Sequence, residues 1–212
     1  MSDSNTLKLQ ELRAQILGLS RRYAELAFDS PAFVPGQSTI PPSGKVINSD
    51  DIAALVDASL DGWLTTGRFN EAFESELAAY LGAAHALTTN SGSSANLLAL
   101  TALTSPLLGP RALRPGDEVI TAAAGFPTTV NPILQNGLVP VFVDSAPPTY
   151  NPTVDAIAAA IGPRTRAIML AHTLGNPFAV EEIRALADQH GRSESTRLNS
   201  SHANVSRMPS SA

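Results

Sequence analysis

Four short stretches of this sequence place polar or aromatic side chains where chemistry could occur. The first is Asn90-Ser91-Gly92-Ser93-Ser94-Ala95-Asn96, between a run that reads as a strand (AHALTTN) and one that reads as a helix (SSANLLALTAL). Such a turn offers free backbone N–H groups and the positive end of a helix dipole. Gly92, Ser93 and Ser94 would let a phosphate approach closely, although serines that simply cap a helix would look the same. The Walker A and dinucleotide-binding spacings are both absent. The second stretch, Ala124-Gly125-Phe126-Pro127-Thr128-Thr129, follows a strand-like run. Open α/β sheets bind ligands beyond the carboxyl ends of their strands, and an aromatic there can stack on a flat heterocycle; a core role is the other reading of Phe126. Asp144 closes the run VFVD, as a site carboxylate or a turn cap. His172 follows TRAIMLA, as a base, a substrate contact or a hydrogen-bonded structural residue. Ser93 has no evident base beside it, no metal-ligand spacing is present, and there is no G-x-S-x-G elbow.

The elements that must position these residues are legible from periodicity. Leu9, Leu12, Ile16, Leu19, Tyr23 and Leu26 form one apolar helical stripe. A proline-rich stretch after it, FDSPAFVPGQSTIPPSGKV, cannot be regular helix and reads as an extended arm or a linker. Asn48 or Ser49 can cap a helix through DDIAALVDASLDGWL, and Gly82 stops a second one over FNEAFESELAAYL. Four strand–helix alternations follow, with strands at AHALTTN, DEVITAA, VPVFVD and TRAIMLAH. Near-continuous apolar strands separated by helices predict a mainly parallel sheet covered on both faces. The expected organisation is an N-terminal helix and arm over 1–47, an α/β domain over 48–191, and a tail over 192–212.

Composition narrows the function classes. With 212 residues, 43% of them hydrophobic, a substantial core can form. A net charge of −5 argues against a nucleic-acid partner, because phosphate neutralisation needs clustered Lys and Arg. No apolar run reaches the length of a membrane span, and the N-terminus lacks a secretory pattern, so a cytoplasmic setting is expected. The absence of cysteine excludes disulfides and thiolate metal sites within these residues. The tail RSESTRLNSSHANVSRMPSSA has seven serines in 21 residues and no hydrophobic period. It is expected to be disordered, and it resembles translated adapter sequence joined to a truncated reading frame. His202 is therefore set aside.

The ordered succession of motifs resembles the DegT/DnrJ/EryC1/StrS sugar aminotransferase family, of the aspartate-aminotransferase fold. The stretches that carry the likeness are Thr66-Gly67-Arg68-Phe69, FESELAAYLGAAHALTTNSGSSAN, RPGDEVITAAAGFPTTVNPILQNGLVPVFVD, TYNPTVDAIAAAI and TRAIMLAHTLGNP. They run in the family's order over residues 30 to 191. Within the family the likeness is greatest to the subgroup of 3-dehydratases acting on CDP-4-keto-6-deoxyglucose in lipopolysaccharide deoxysugar synthesis. The long arm and the SGSSAN form of the phosphate motif carry that preference. The alternatives are a fragment of an ordinary nucleotide-sugar aminotransferase and a non-catalytic phosphate-binding or interaction module.

The resemblance implies a partial large domain of pyridoxal-phosphate fold type I. It implies that Gly92, Ser93 and Ser94 hold the phosphate of pyridoxamine or pyridoxal 5'-phosphate and that Phe126 stacks on its ring. Asn131 and His172 lie near the expected site without a definite role. The substrate implied is a CDP-linked 4-keto-6-deoxy sugar. The cofactor's amine joins the 4-keto carbon, its ring acts as electron sink, and the 3-hydroxyl leaves. In the dehydratases a histidine moves the proton, in place of the aminotransferase lysine. That residue, the aspartate that pairs with the ring nitrogen, and the cysteines of a [2Fe–2S] centre are expected beyond the family-like part of this chain. Lys45 and Lys8, the only lysines, do not match the family's lysine position. A homodimer and a reductase partner are implied for the full-length protein, and this polypeptide alone is expected to be inactive.

Overall fold

The computed structural model describes residues 3–28, 33–40, 46–190, 196–199 and 206–207. Lys45 and His202 lie outside the described residues. The chain divides into two compact units, residues 1–73 and 74–212.

In the first unit, α1 (Asp3–Ala27) packs on α2 (Ser49–Leu60). Asn48 caps α2: its side chain accepts the amides of Asp50 and Asp51, and Asp51 returns the bond to the Asn48 N–H. This reciprocal box satisfies donors that a helix start leaves open. The helix stops at Leu60, short of the Leu64 its apolar pattern suggests, and Gly62 turns the chain at φ +63°. Buried Ala24 of α1 and Ala53 of α2 lie on the packed sides of the two helices, and Arg13 of α1 reaches Asp57 of α2. Arg13 and Arg68 alternate with Asp57 and Asp61 in a four-charge ring; Arg68 Nε lies 2.9 Å from Asp61. Hydrogen bonds from Arg68 and Arg13 hold both carboxylates below their ordinary pKa. The apolar stripe from Leu9 to Leu26 is helical as expected, but its members are exposed. The charge ring and the small buried residues Ala24 and Ala53, rather than the stripe, mark the side of α1 that meets α2.

Helix α3 (Arg68–Leu81) begins in the first unit and ends in the second, where Gly82 adopts φ +63° beyond its last turn. The second unit continues with α4 (Gly92–Ala102), β1 (Glu118–Ala122), α5 (Pro127–Gln135), β2 (Val139–Val143), α6 (Val154–Ala160), β3 (Thr165–Ala171), α7 (Val180–Gln189), β4 (Thr196–Asn199) and β5 (Ser206–Arg207). The sheet order is β2-β1-β3-β4-β5; all neighbours are parallel except β4 with β5. Val119 and Ile120 are both fully buried, as expected of a central strand covered on both faces. One core joins Val119, Ala167 and Met169 to Leu100 of α4, to Leu103 just after it and to Ile133 of α5. The other joins Ile120, Ile168 and Leu170 to Ile157 of α6 and Ile183 of α7. Strand alternation thus divides one sheet between two helical layers.

Two expectations need correction. AHALTTN is not a strand: residues 84–90 run without a ladder, and the Thr88 N–H goes to the Glu74 carboxylate at 2.6 Å. Composition favours extended backbone there, but a strand exists only where a neighbouring strand accepts its bonds. The expected disorder of 192–212 also does not hold for its six described residues, which form β4 and β5. The edge of β3 supplies backbone partners to whatever segment lies along it, regardless of side chains. The rest of that tail lies outside the described residues.

Candidate functional site

Because β2, β1 and β3 are parallel, the segments that follow them emerge at one edge of the sheet. They bring Asp144, Phe126 and His172 to that edge, and α4 presents its N-terminus beside them. The placement of α4 follows from Asn96, one turn into α4, whose Nδ2 donates to the Thr128 carbonyl at 3.1 Å in the first turn of α5.

Ser91 is the N-cap of α4, in extended backbone; its hydroxyl accepts the Ser94 N–H at 3.2 Å and donates to the Ser94 hydroxyl. The amides of Gly92 and Ser93 are the first two of the helix and have no acceptor among the described residues. The Ser93 side chain is exposed, and the Ser94 hydroxyl keeps its own proton to donate. The first turns of α4 and α5 carry no acidic residue, whereas those of α2, α3, α6 and α7 do. An anion would therefore meet two free amides, two hydroxyls and an uncompensated helix dipole.

Phe126 is the residue before α5 and is 60% exposed, so the core reading is excluded. Its ring is open to a planar ligand. Asp144 is a local cap: its carboxylate accepts the Ser145 N–H at 2.8 Å. Asn131 lies on the exposed side of α5 and joins neither group.

His172 is a different kind of residue from a free base. Its Nδ1 accepts the Phe178 N–H at 3.3 Å, and its ring stacks on Phe178 at 4.3 Å between centroids. Burial pushes its pKa below the ordinary histidine value. With Nδ1 occupied, the neutral ring carries its proton on Nε2 and offers a hydrogen-bond donor. Leu174, two residues on, sits at φ +53°, and Tyr150 in the facing loop at φ +58°; each costs about 1 kcal/mol or more for a side-chain-bearing residue.

Asn151 holds these two loops together. It is 3% exposed, accepts the Thr173 N–H at 3.3 Å and donates to the Asn176 carbonyl at 2.9 Å, while Asn176 donates back to Thr149. Neither Asn151 nor the role of Asn96 was visible in the sequence. The one signal for Asn96 is Pro132, discussed below; for Asn151 it is a polar residue within a Pro- and Gly-punctuated loop facing a second such loop.

A strand-edge aromatic and a helix start free of acidic residues flank a sheet layered on both faces, the arrangement of the large domain of vitamin-B6 enzymes of fold type I that the solved structures share with this chain. A solved GDP-4-keto-6-deoxymannose-3-dehydratase, holding a trapped PLP–glutamate geminal diamine, superposes with a TM-score of 0.69 at 28% identity, over 78% of this chain and 42% of that one. The pattern of the DegT/DnrJ/EryC1/StrS aminotransferase family matches residues 45–193, and this chain belongs to that family. Among curated relatives, lipopolysaccharide biosynthesis protein RfbH of Salmonella typhimurium is 62% identical over 179 residues, 84% of this chain and 41% of that protein. The dTDP-4-dehydro-2,6-dideoxy-D-glucose 3-dehydratase of Saccharopolyspora spinosa is 60% identical over 76% of this chain and 35% of its own length. The chain thus spans roughly two fifths of the relatives it matches. Among the described residues, no helix is long and apolar enough to cross a membrane, and no cluster of potential metal ligands occurs.

Proposed function

We propose that this chain is the cofactor-holding part of a pyridoxamine- or pyridoxal-phosphate-dependent 3-dehydratase acting on CDP-4-keto-6-deoxyglucose in lipopolysaccharide deoxysugar synthesis. The observation that carries the reading is the pair of free amides at Gly92 and Ser93 beside the open ring of Phe126, in a chain 62% identical to a lipopolysaccharide biosynthesis protein. The residues present fit the group. Gly92, Ser93 and Ser94 would hold its phosphate through amides and hydroxyls, and Phe126 would lie along its ring. When bound, the cofactor supplies an amine for the sugar's keto carbon and a ring that accepts electrons. This chain's part is to bind and orient. His172, held by the Phe178 N–H and stacked on the Phe178 ring, would offer Nε2 as a hydrogen-bond donor.

In this reading His172, with Nδ1 occupied by the Phe178 N–H, is a donor rather than the proton-abstracting base. The proton-moving histidine, the aspartate for the ring nitrogen and the ligands of a [2Fe–2S] centre are assigned to the remainder of the whole protein. A homodimer, a reductase partner, a cytoplasmic setting, and the foreign origin of residues 192–212 belong to the same proposal. The family match ending at residue 193 supports the last of these.

The second reading is a nucleotide-sugar aminotransferase, favoured by the family's description. The two separate when the complete apoprotein is loaded with pyridoxamine 5'-phosphate and given CDP-4-keto-6-deoxyglucose and glutamate. Loss of the C3 hydroxyl without transfer of glutamate nitrogen supports the dehydratase; an amino group at C4 supports the transferase; no cofactor uptake refutes both.

A further inference from the structure

Helix α5 contains Pro132, which has no N–H. In a regular helix that N–H would bond the carbonyl four residues earlier, which is Thr128. The Thr128 carbonyl is instead satisfied by Asn96 Nδ2 at 3.1 Å. Asn96 is 5% exposed and belongs to α4, 32 residues away in the chain. The proline opens an acceptor in the turn that carries Phe126, and a side chain from the phosphate helix fills it. At the far ends of the same two helices, Asn136 of the α5 terminus donates to Thr101 of α4 at 3.1 Å. Buried Thr129 and Thr121 lie in the same layer, Thr121 sharing the Val119 face by strand alternation.

We propose that Asn96 is a positioning residue that fixes the separation between the phosphate seat at Gly92–Ser94 and the ring platform at Phe126, through the carbonyl vacated by Pro132. The inference rests on the cofactor site proposed above. Phosphate and ring are joined covalently in the ligand, so their two anchors must be held at one distance. The anchors sit on different helices whose first turns are tied by this bond. A rigid second layer of this kind decides whether a site is tight or loose.

The test uses the complete apoprotein carrying Asn96→Leu, Pro132→Ala, or both, titrated with pyridoxamine 5'-phosphate and separately with inorganic phosphate. Asn96→Leu is expected to lower the melting temperature, to weaken pyridoxamine phosphate about tenfold, the scale of one buried hydrogen bond, and to leave inorganic phosphate within about twofold. Pro132→Ala returns an N–H to the Thr128 carbonyl. The double variant therefore regains stability but not cofactor affinity. Unchanged cofactor affinity in Asn96→Leu overturns the proposal. So does recovery of affinity together with melting temperature in the double variant, because Asn96 would then only satisfy a carbonyl. Should Asn96→Leu fail to fold, the double variant carries the same reading against Pro132→Ala alone. Gly92→Pro serves as the control for the site itself: if it leaves pyridoxamine phosphate affinity untouched, the cofactor reading fails. If it weakens binding while the Asn96 variants do not, only the positioning role fails.

Discussion

Replacing Gly92 with proline removes one amide of the proposed phosphate seat while sparing the helix. Position 92 is the first residue of α4, where proline's fixed φ is already suitable and its missing N–H breaks no intrahelical bond. Ser91 stands at φ −163° and ψ 159°, the extended conformation that a residue before proline requires. Stability should therefore change by no more than about 1 kcal/mol in either direction. A hydrogen bond to a charged acceptor contributes roughly 1.5–3 kcal/mol. Losing the Gly92 donor should weaken pyridoxamine phosphate by roughly ten- to 150-fold. Gly92→Ala keeps the amide and adds only a methyl, so the difference between the two variants isolates the donor from the crowding. Equilibrium titration of the complete apoprotein by cofactor absorbance, with thermal melts in parallel, measures both. Affinity within twofold of the unmodified protein, at an unchanged melting temperature, would refute the placement of the phosphate on this amide.

Other consequences can be checked independently. Asn151→Leu leaves the Thr173 amide and the Asn176 carbonyl without their shared partner, so it should destabilise the complete protein by about 1–3 kcal/mol; a melting temperature equal to the parent's would contradict the clamp. His172 has a folded pKa below its unfolded value. The unfolded chain therefore takes the proton first, and stability present above about 6.5 should decline as pH falls from there through the lowered folded value. His172→Asn should flatten that part of a stability-against-pH curve, and an unaltered slope would show that another group titrates. The 212-residue polypeptide itself should show no dehydration of CDP-4-keto-6-deoxyglucose in a coupled assay with pyridoxamine phosphate; sustained turnover would place a base within these residues.

Much of the second unit was legible because helix and strand periods are local. The helices that carry Leu100, Ile133, Ile157 and Ile183 into the two cores, and the strands from Glu118, Val139 and Thr165, follow from the alternation of near-continuous apolar runs with helical ones. The helix start at Gly92 was visible for the same reason, since Ser91 caps the helix it precedes. What could not be read was whatever depends on a distant partner. AHALTTN has strand composition, yet its Thr88 amide bonds Glu74. The α1 stripe has helical period, yet Arg13 turns a different side to Asp57 and Asp61. Asn96 and Asn151 look like ordinary polar residues in one dimension. Their importance comes from acceptors and donors more than twenty residues away.

The seat of the phosphate is the claim on which the remaining chemistry depends. A crystal structure of the complete protein grown with pyridoxamine 5'-phosphate measures it directly. The phosphate oxygens should lie within hydrogen-bonding distance of the Gly92 and Ser93 amides, with the pyridine ring along Phe126. Phosphate density at any other helix start, or a ring away from Phe126, would contradict the account.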